Sequence, residues 1–507
     1  MECDMKAVPL FVIVPLAGAF ITYLVGSVFK KIEAQFSDIF ANLITAGLFI
    51  LSIVTLFKVA TDQNIIYFVG GWRPPVGITI FLDGLGIFLL IVVTGIGFLS
   101  SIFSIDYMKR FTAKYKFYAL LLLMIAGMSG ICITGDLFNM FVFIEISAIA
   151  SYALVAFGTE HEELEAAFKY MVMGEIGSLM ILLSIAIIYA RTGTLNMADI
   201  SQTISVNPEQ PAIIFPSILF IIGFSIKAAL VPFHSWLPDA HPSAPAPISS
   251  MLSGVVIKVL GVFCLVRVFY HIIGMTPIVS NILLVLAGLS MIVGVLLQLG
   301  QDDIKRLLAY CSISQIGYVL LGFGLGTPLG ILGGFFHLIN HAVFKSGLFL
   351  TSGAIEYATG TRDIKKLGGL LKRLPLTSVS WYIGSFTASG VPPFAGFWSK
   401  LILIIAAIMA KSYILAAIAA VSAILTLASF IRTQRRMLAG ALPESLSGIK
   451  EVPFSMKTSL VVLSLLCIFL GLLLVPPIRN NLLDLAKDAV LVGTEYGKIV
   501  FEKAGLL

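Results

Sequence analysis

The sequence predicts an all-α polytopic membrane protein of about fourteen transmembrane helices, and three observations carry that reading. Of 507 residues, 58% are hydrophobic and 12% charged, at a mean hydropathy of +1.02, where a soluble domain carries about 25% charged residues. Apolar runs of roughly 20 residues recur along the whole length, each long enough to cross about 30 Å of hydrocarbon. Two runs are interrupted beside a lysine: FSIKAALVPFHSWLPDAH, with Lys227 and Pro232, and GVPPFAGFWSK, with Pro392, Pro393 and Lys400. Hydrocarbon tolerates neither a bare charge nor unsatisfied backbone unless both line a path, so these breaks point to ion movement.

The runs centre near residues 17, 47, 92, 125, 147, 178, 222, 257, 288, 315, 342, 395, 421 and 467. The first reads as a span: its leading segment is as acidic as basic, and no small-residue cleavage site follows. Before the third, YFVGGWRPPVGITIFLDG predicts a short external hairpin. Spans four to eight and nine to thirteen form two related halves, each ending in an interrupted, lysine-bearing helix. An odd number of spans per half makes these inverted five-helix repeats with spans 7 and 12 discontinuous. The expected divisions are 1–115 (spans 1–3 with the hairpin), 116–272, 273–440, and 441–507 (span 14 with an amphipathic tail).

Orientation follows from the basic residues. Lys30 and Lys31, Lys109 to Lys116, Lys365 to Arg373, and Arg432 to Lys450 all follow odd-numbered spans, on the side that the positive-inside rule assigns to the cytoplasm. A multi-pass plasma-membrane protein with both termini outside is expected. The acidic loop Thr159 to Glu165 falls on the same side, where carboxylates carry little topological weight. The net charge of +6 is thus a topology signal, and no basic–aromatic motif suggests nucleic acid. Five scattered cysteines without a C-x-x-C pair offer neither iron–sulfur nor zinc ligation. GFGLGTPLG lacks the strand and spacing of a dinucleotide site.

The ionisable residues inside the spans are the candidate site. Glu145, in FNMFVFIEISAIASY, costs about 3 kcal/mol unpaired and needs a basic partner. Lys227 is the candidate, since a carboxylate that approaches or recedes would switch a buried lysine between charged and neutral. Water at the Pro232 break is expected to satisfy the freed backbone. Lys258, in SSMLSGVVIKVLGVF, has about ten apolar residues on either side, too many for snorkelling, and reads as a relay. His337, His341 and Lys345 recur at i, i+4 and i+8 on one helix face. A metal site there lacks a third ligand and meets a lysine, so a hydrated proton relay is expected. Lys305 and Arg306 read as interfacial anchors. Asp83 and Asp239 lie near span ends as loop organisers, Asp239 with the option of capping the break. Glu175 shows no partner, leaving a subunit interface or a side branch of the path.

Four ordered stretches carry a resemblance: FSIKAALVPFHSWLPDAHPSAPAPISSMLSG, RLLAYCSISQIGYVLLG, FFHLINHAVFKSGLFLTSGAI and GVPPFAGFWSK. Over roughly residues 80 to 440 the chain resembles the antiporter-like subunits of respiratory complex I, of Mrp-type sodium/proton antiporters and of membrane-bound hydrogenases. The resemblance implies proton uptake in the first half at Glu145 and Lys227. Transfer along Lys258, His337, His341 and Lys345 would follow, with release near Lys400. It further implies no cofactor or metal in this chain, with iron–sulfur and nickel–iron or flavin centres in partner subunits. The partners implied are other membrane subunits, lipid, and protons with sodium as the alternative ion. WLPDAHPSAPAPISS resembles the archaeal hydrogenase or sulfur-reductase branch, with the Mrp D-type protein second. Such a chain holds no catalytic redox site of its own and serves an oxidoreductase as its proton-translocating arm. A solute permease would need a polar substrate cavity, whereas these residues form a dispersed file.

Overall fold

The computed structural model describes residues 7–62, 64–74, 76–205 and 211–505; Cys3, the charges at the extreme N-terminus and Pro75 of the predicted hairpin lie outside them. Helices α1 (Leu10–Val28) and α2 (Glu33–Asp62) lead into a hairpin, β1 (Ile65–Phe68) and β2 (Thr79–Leu82), paired antiparallel with Ile65 opposite Leu82. There follow α3 (Gly84–Tyr107), α4 (Lys114–Ile133), α5 (Leu137–Val155), α6 (His161–Thr192) and short α7 (Met197–Ser205). The first interrupted helix is α8 (Pro211–Lys227) and α9 (Leu237–Ser243). Then come α10 (Ala246–Ile272), α11 (Pro277–Leu299), α12 (Ile304–Leu325) and α13 (Pro328–Thr359). The second interruption separates α14 (Pro375–Ser389) from α15 (Ala395–Met409), before α16 (Tyr413–Met437) and α17 (Phe454–Phe469). The tail is α18 (Pro476–Leu491) and α19 (Tyr496–Ala504). Among the described residues eleven helices are long and apolar enough to span a bilayer, against the fourteen runs expected, and Ala212–Lys227 and Ala395–Met409 are shorter apolar pieces.

Burial sorts the helices into centre and periphery. The apolar window of α10 is 100% buried and that of α12 94%, against 33% for α1 and α2. Outer helices therefore turn their apolar faces to lipid, where exposure costs nothing, and α10 forms the axis. Most of α10 is wound with i→i+5 bonds, from Leu252 to Phe263 and again from Arg267 to Ile272, a geometry frequent at functional sites.

Caps set the span limits. Asp83, Asp136 and Asp303 accept from the backbone N–H three residues on, starting α3, α5 and α12. Gly193, Gly326, Gly360 and Gly390 end α6, α12, α13 and α14 at positive φ. Asp83 also takes a bidentate grip from Arg267, at 2.6 and 2.8 Å, and Arg267 meets His271, whose Nε2–H donates to the Ala489 carbonyl at 2.7 Å. The amphipathic tail is thereby tied to the end of α10.

One local arrangement occurs twice. Asp136 bridges Asn196, and Asp303 bridges Asp363. Thr192-Gly193-Thr194 and Thr359-Gly360-Thr361 precede these bridges, and in both the first threonine hydroxyl donates to the third residue's carbonyl at 3.2 Å. In the same register, Glu145 stands where Ser312 does, and Ser178 where Lys345 does.

The loops with basic residues gather at one end. Lys365 and Arg436 pair with Asp302, Arg362 with Asp303, and Lys169 and Arg306 with Asp239. The Lys365 hydrogen bond holds the Asp302 carboxyl below the usual carboxylate range. The acidic loop that dissented on charge belongs to this end, Glu165 meeting Lys169 at 2.8 Å. Asp239 does not cap the break: α9 starts after Trp236, and Asp239 serves these ion pairs instead. Lys305 is not an exposed anchor but 2% exposed, donating to the Ala244 carbonyl at 3.0 Å and facing Glu356 at 3.1 Å.

Candidate functional site

Glu145 lies midway along α5, and Lys227 is the last residue of α8. The lysine is 4% exposed, with Nζ 3.8 Å from Glu145 Oε1 and donating to Tyr152 Oη at 3.4 Å. This pair is looser than a hydrogen-bonded one. Ser178 on α6 donates its hydroxyl to the same carboxylate oxygen. The helix ends at Lys227 because the chain breaks at Pro232, and protein groups satisfy much of the freed backbone. Val231 N–H donates to Ser290 Oγ at 3.1 Å and the Trp236 indole to the Ile226 carbonyl at 3.0 Å. Expected water is in part replaced by side chains, which makes the break a fixed feature.

Lys258, on the axis helix, is fully buried and donates to the Ser253 carbonyl at 2.5 Å, five residues back, as the wide winding allows. Lys345 on α13 is also fully buried, donating to the Leu308 carbonyl at 2.8 Å. His337 and His341 stack with ring centroids 6.4 Å apart, so the i, i+4 spacing does bring them together. His337 Nδ1 meets Ser399 Oγ at 2.9 Å. Lys400, 3% exposed, donates to the Ala388 carbonyl at 2.7 Å and sits 4.9 Å over the Tyr318 ring, itself 5.3 Å from His337.

Several polar atoms along this file have no partner among the described residues: both ring nitrogens of His341, Nε2 of His337 and both amide atoms of Gln315. Buried groups of that kind are satisfied by ordered water, and titratable side chains alternating with water move protons. Among the described residues no group of three or more His, Cys, Asp or Glu side chains could hold a metal ion.

The structure thus collects six of the seven sequence candidates, Lys227, Lys258, His337, His341, Lys345 and Lys400, into the interior, with Glu145 partly exposed at its edge. Sequence reasoning missed Tyr152, Ser178, Ser399, Tyr318 and Gln315, polar residues of apolar helices whose spacing shows nothing until the helices pack. It also missed His241, fully buried with neither ring nitrogen partnered, whose charge environment includes Lys345, Lys305 and Lys258. Its neighbour motif P-D-A-H was the available signal.

Known proteins resemble this chain over most of its length. Residues 134–426 match the family described as NADH:quinone oxidoreductase/Mrp antiporter, transmembrane region, and residues 73–118 match the N-terminus of chain 5 of complex I. The chain is 34% identical to the N subunit of NADH-quinone oxidoreductase from Desulforudis audaxviator, covering 80% of this chain and 84% of that protein. It is equally 34% identical to the D-type protein of the Na(+)/H(+) antiporter from Alkalihalophilus pseudofirmus, covering 81% and 84%. Among solved structures it superposes on a chain of the Mrp complex from Dietzia sp. (TM-score 0.89, 27% identity, 99% of each chain). It also superposes on a chain of the membrane-bound sulfane sulfur reductase, an archaeal respiratory membrane complex (TM-score 0.88, 32% identity, 99% of each chain).

Proposed function

This chain belongs to the NADH:quinone oxidoreductase/Mrp antiporter family, and from that premise we propose that it translocates protons as the antiporter-like subunit of a redox-driven membrane complex. The observation that carries the reading is the loose Lys227–Glu145 pair at the buried end of a broken helix. A buried ammonium this close to a carboxylate stays charged, and drawing the two apart by a few ångströms favours release of its proton. The path runs from Glu145 and Lys227 to Lys258, along Lys345, His341 and His337, and out at Lys400. Each step ends on a buried group that titrates or on one of the unpartnered polar atoms between them. Spans four to eight and nine to thirteen are read as inverted repeats, supported by the duplicated threonine–glycine–threonine bridges. The end gathering the basic loops is read as cytoplasmic.

Nickel–iron, iron–sulfur or flavin centres are assigned to partner subunits of a hydrogenase or sulfur-reductase type. The 32% identity to the sulfane reductase chain supports this branch. The second reading, a D-type component of a sodium/proton antiporter without a redox partner, is supported by the 34% identity to the Alkalihalophilus protein. Mild-detergent purification of the native assembly with mass identification of its companions separates them: redox subunits favour the first, small membrane proteins alone the second. The reading itself is tested by Lys227→Ala, expected to abolish coupled ion movement while the complex still assembles. Ion movement at the wild-type rate in that variant would remove it.

A further inference from the structure

Glu175 lies in the middle of α6, half-buried, and makes no ion pair or hydrogen bond among the described residues. Its position is matched by that of Glu145. On α5 the residues Phe138, Val142 and Ile149 are 43%, 37% and 58% exposed, and Glu145 falls on their stripe at i+7 from Phe138. On α6 Phe168, Val172 and Leu179 are 62%, 40% and 63% exposed, and Glu175 falls at i+7 from Phe168. Two adjacent helices therefore present one carboxylate each at the centre of an apolar stripe at membrane depth.

The Glu175 stretch of α6 also borders the Lys227 site. Glu175 and Ser178 are three residues apart, hence neighbours on one face of α6, and Ser178 is the residue whose hydroxyl contacts Glu145. The Tyr152 hydroxyl, which accepts from Lys227, packs against Gly174 immediately before Glu175. The charges of Glu145 and Lys227 both act on Glu175. With one ammonium and two carboxylates in a low-dielectric site, neutrality requires one further proton on a carboxylate.

We propose, resting on the function assigned above, that Glu175 is the proton donor to Glu145, and that Lys227 alternates between the two carboxylates. In one state Lys227 pairs with ionised Glu145 while Glu175 is protonated. In the other, the O–H bond at Glu175 has broken, an O–H bond has formed at Glu145 by way of the Ser178 hydroxyl, and the ammonium has moved to ionised Glu175. No charge is created in either state, and the proton arrives from the α5–α6 face.

The test uses the native assembly in proteoliposomes with an internal pH dye, comparing wild type, Glu175→Gln, Glu175→Asp and Lys227→Ala. Glu175→Gln is expected to lower proton movement roughly a hundredfold, the low end of what a positioned proton donor contributes. Glu175→Asp is expected to restore most of it. Infrared difference spectra between acid and alkaline samples should lose one protonated-carboxyl band in Glu175→Gln, which a merely structural role would leave in place. Wild-type movement and an unchanged band in Glu175→Gln, with Lys227→Ala inactive, overturn this inference alone. Lys227→Ala that still moves protons overturns the assigned function, and this inference with it.

Discussion

The two breaks of the chain hold their lysines by different chemistry. At the first, Lys227 faces a carboxylate at 3.8 Å and a tyrosine hydroxyl. At the second, Lys400 meets a backbone carbonyl and the face of Tyr318, with no ion pair among the described residues. In the duplicated register, Glu145 and Ser178 stand at the first bridge where Ser312 and Lys345 stand at the second. One half keeps a movable charge pair; the other spreads basic groups along carbonyls. The pair can gate, because its energy changes steeply with distance in a low dielectric. Lys345 and Lys400 can conduct, because neither makes an ion pair among the described residues.

If that division is right, Lys400→Ala should reduce coupled proton movement to background in proteoliposomes, since no other titratable side chain on α15 stands at that end. Wild-type transport would show that the path leaves elsewhere. The division can be attacked from the other side by giving the second half a carboxylate. Ser312→Glu places one in the register of Glu145, on the helix whose Leu308 carbonyl holds Lys345. An ion pair there should fix Lys345 as charged and slow proton movement roughly tenfold, with the protein still folded. An unchanged rate would mean that the carbonyl-held lysine is not a carrier.

A third contrast separates working pairs from structural ones. Arg267 and Asp83 are both nearly inaccessible and joined by two short bonds, unlike the loose Lys227–Glu145 contact. Asp83→Asn leaves a buried guanidinium without its counter-charge and should destabilise the protein by about 3–5 kcal/mol, read as a lower thermal midpoint in detergent. It should spare the rate of whatever protein remains folded. Loss of transport at full stability would place Asp83 in the path instead.

Much of this was legible in the sequence because lipid imposes strong rules. Apolar run length marked a polytopic membrane chain, and the rarity of intramembrane charge singled out Glu145, Lys227, Lys258 and Lys400. The His337–His341 stripe was readable because helical spacing alone puts it on one face. What stayed hidden depends on contacts between helices distant in sequence. Asp83 reads as a loop organiser until α10 brings Arg267 beside it, and Lys305 reads as an anchor until α13 covers it with Glu356. Ser178 and Tyr152 are ordinary helix residues whose roles come from which way α6 faces α5. The twice-occurring bridge was also written in the chain, as the two threonine–glycine–threonine segments. Three residues are too few to notice before their hydrogen bonds coincide.

The smallest expected effect concerns how each break is packed. Gly261 on α10 lies against the residue after Lys227: a methyl group there would come within 2.5 Å of the Ala228 side chain and 2.7 Å of its backbone. Gly396 lies against its own preceding segment, where a methyl group would overlap the Thr387 carbonyl, next to the carbonyl that holds Lys400. Overpacking of this kind costs about 1–3 kcal/mol, so Gly261→Ala and Gly396→Ala should both lower the thermal midpoint. They should differ in transport. At the first break the methyl group pushes on Ala228, and α8 can shift as a rod while Lys227 follows Glu145. At the second it pushes on the Thr387 carbonyl, next to the Ala388 carbonyl that holds Lys400, and no carboxylate among the described residues re-centres that lysine. Gly396→Ala should therefore lose more proton movement than Gly261→Ala for the same loss of stability. The reverse order would mean that the charge pair, not the carbonyl that holds Lys400, is the part that tolerates no displacement.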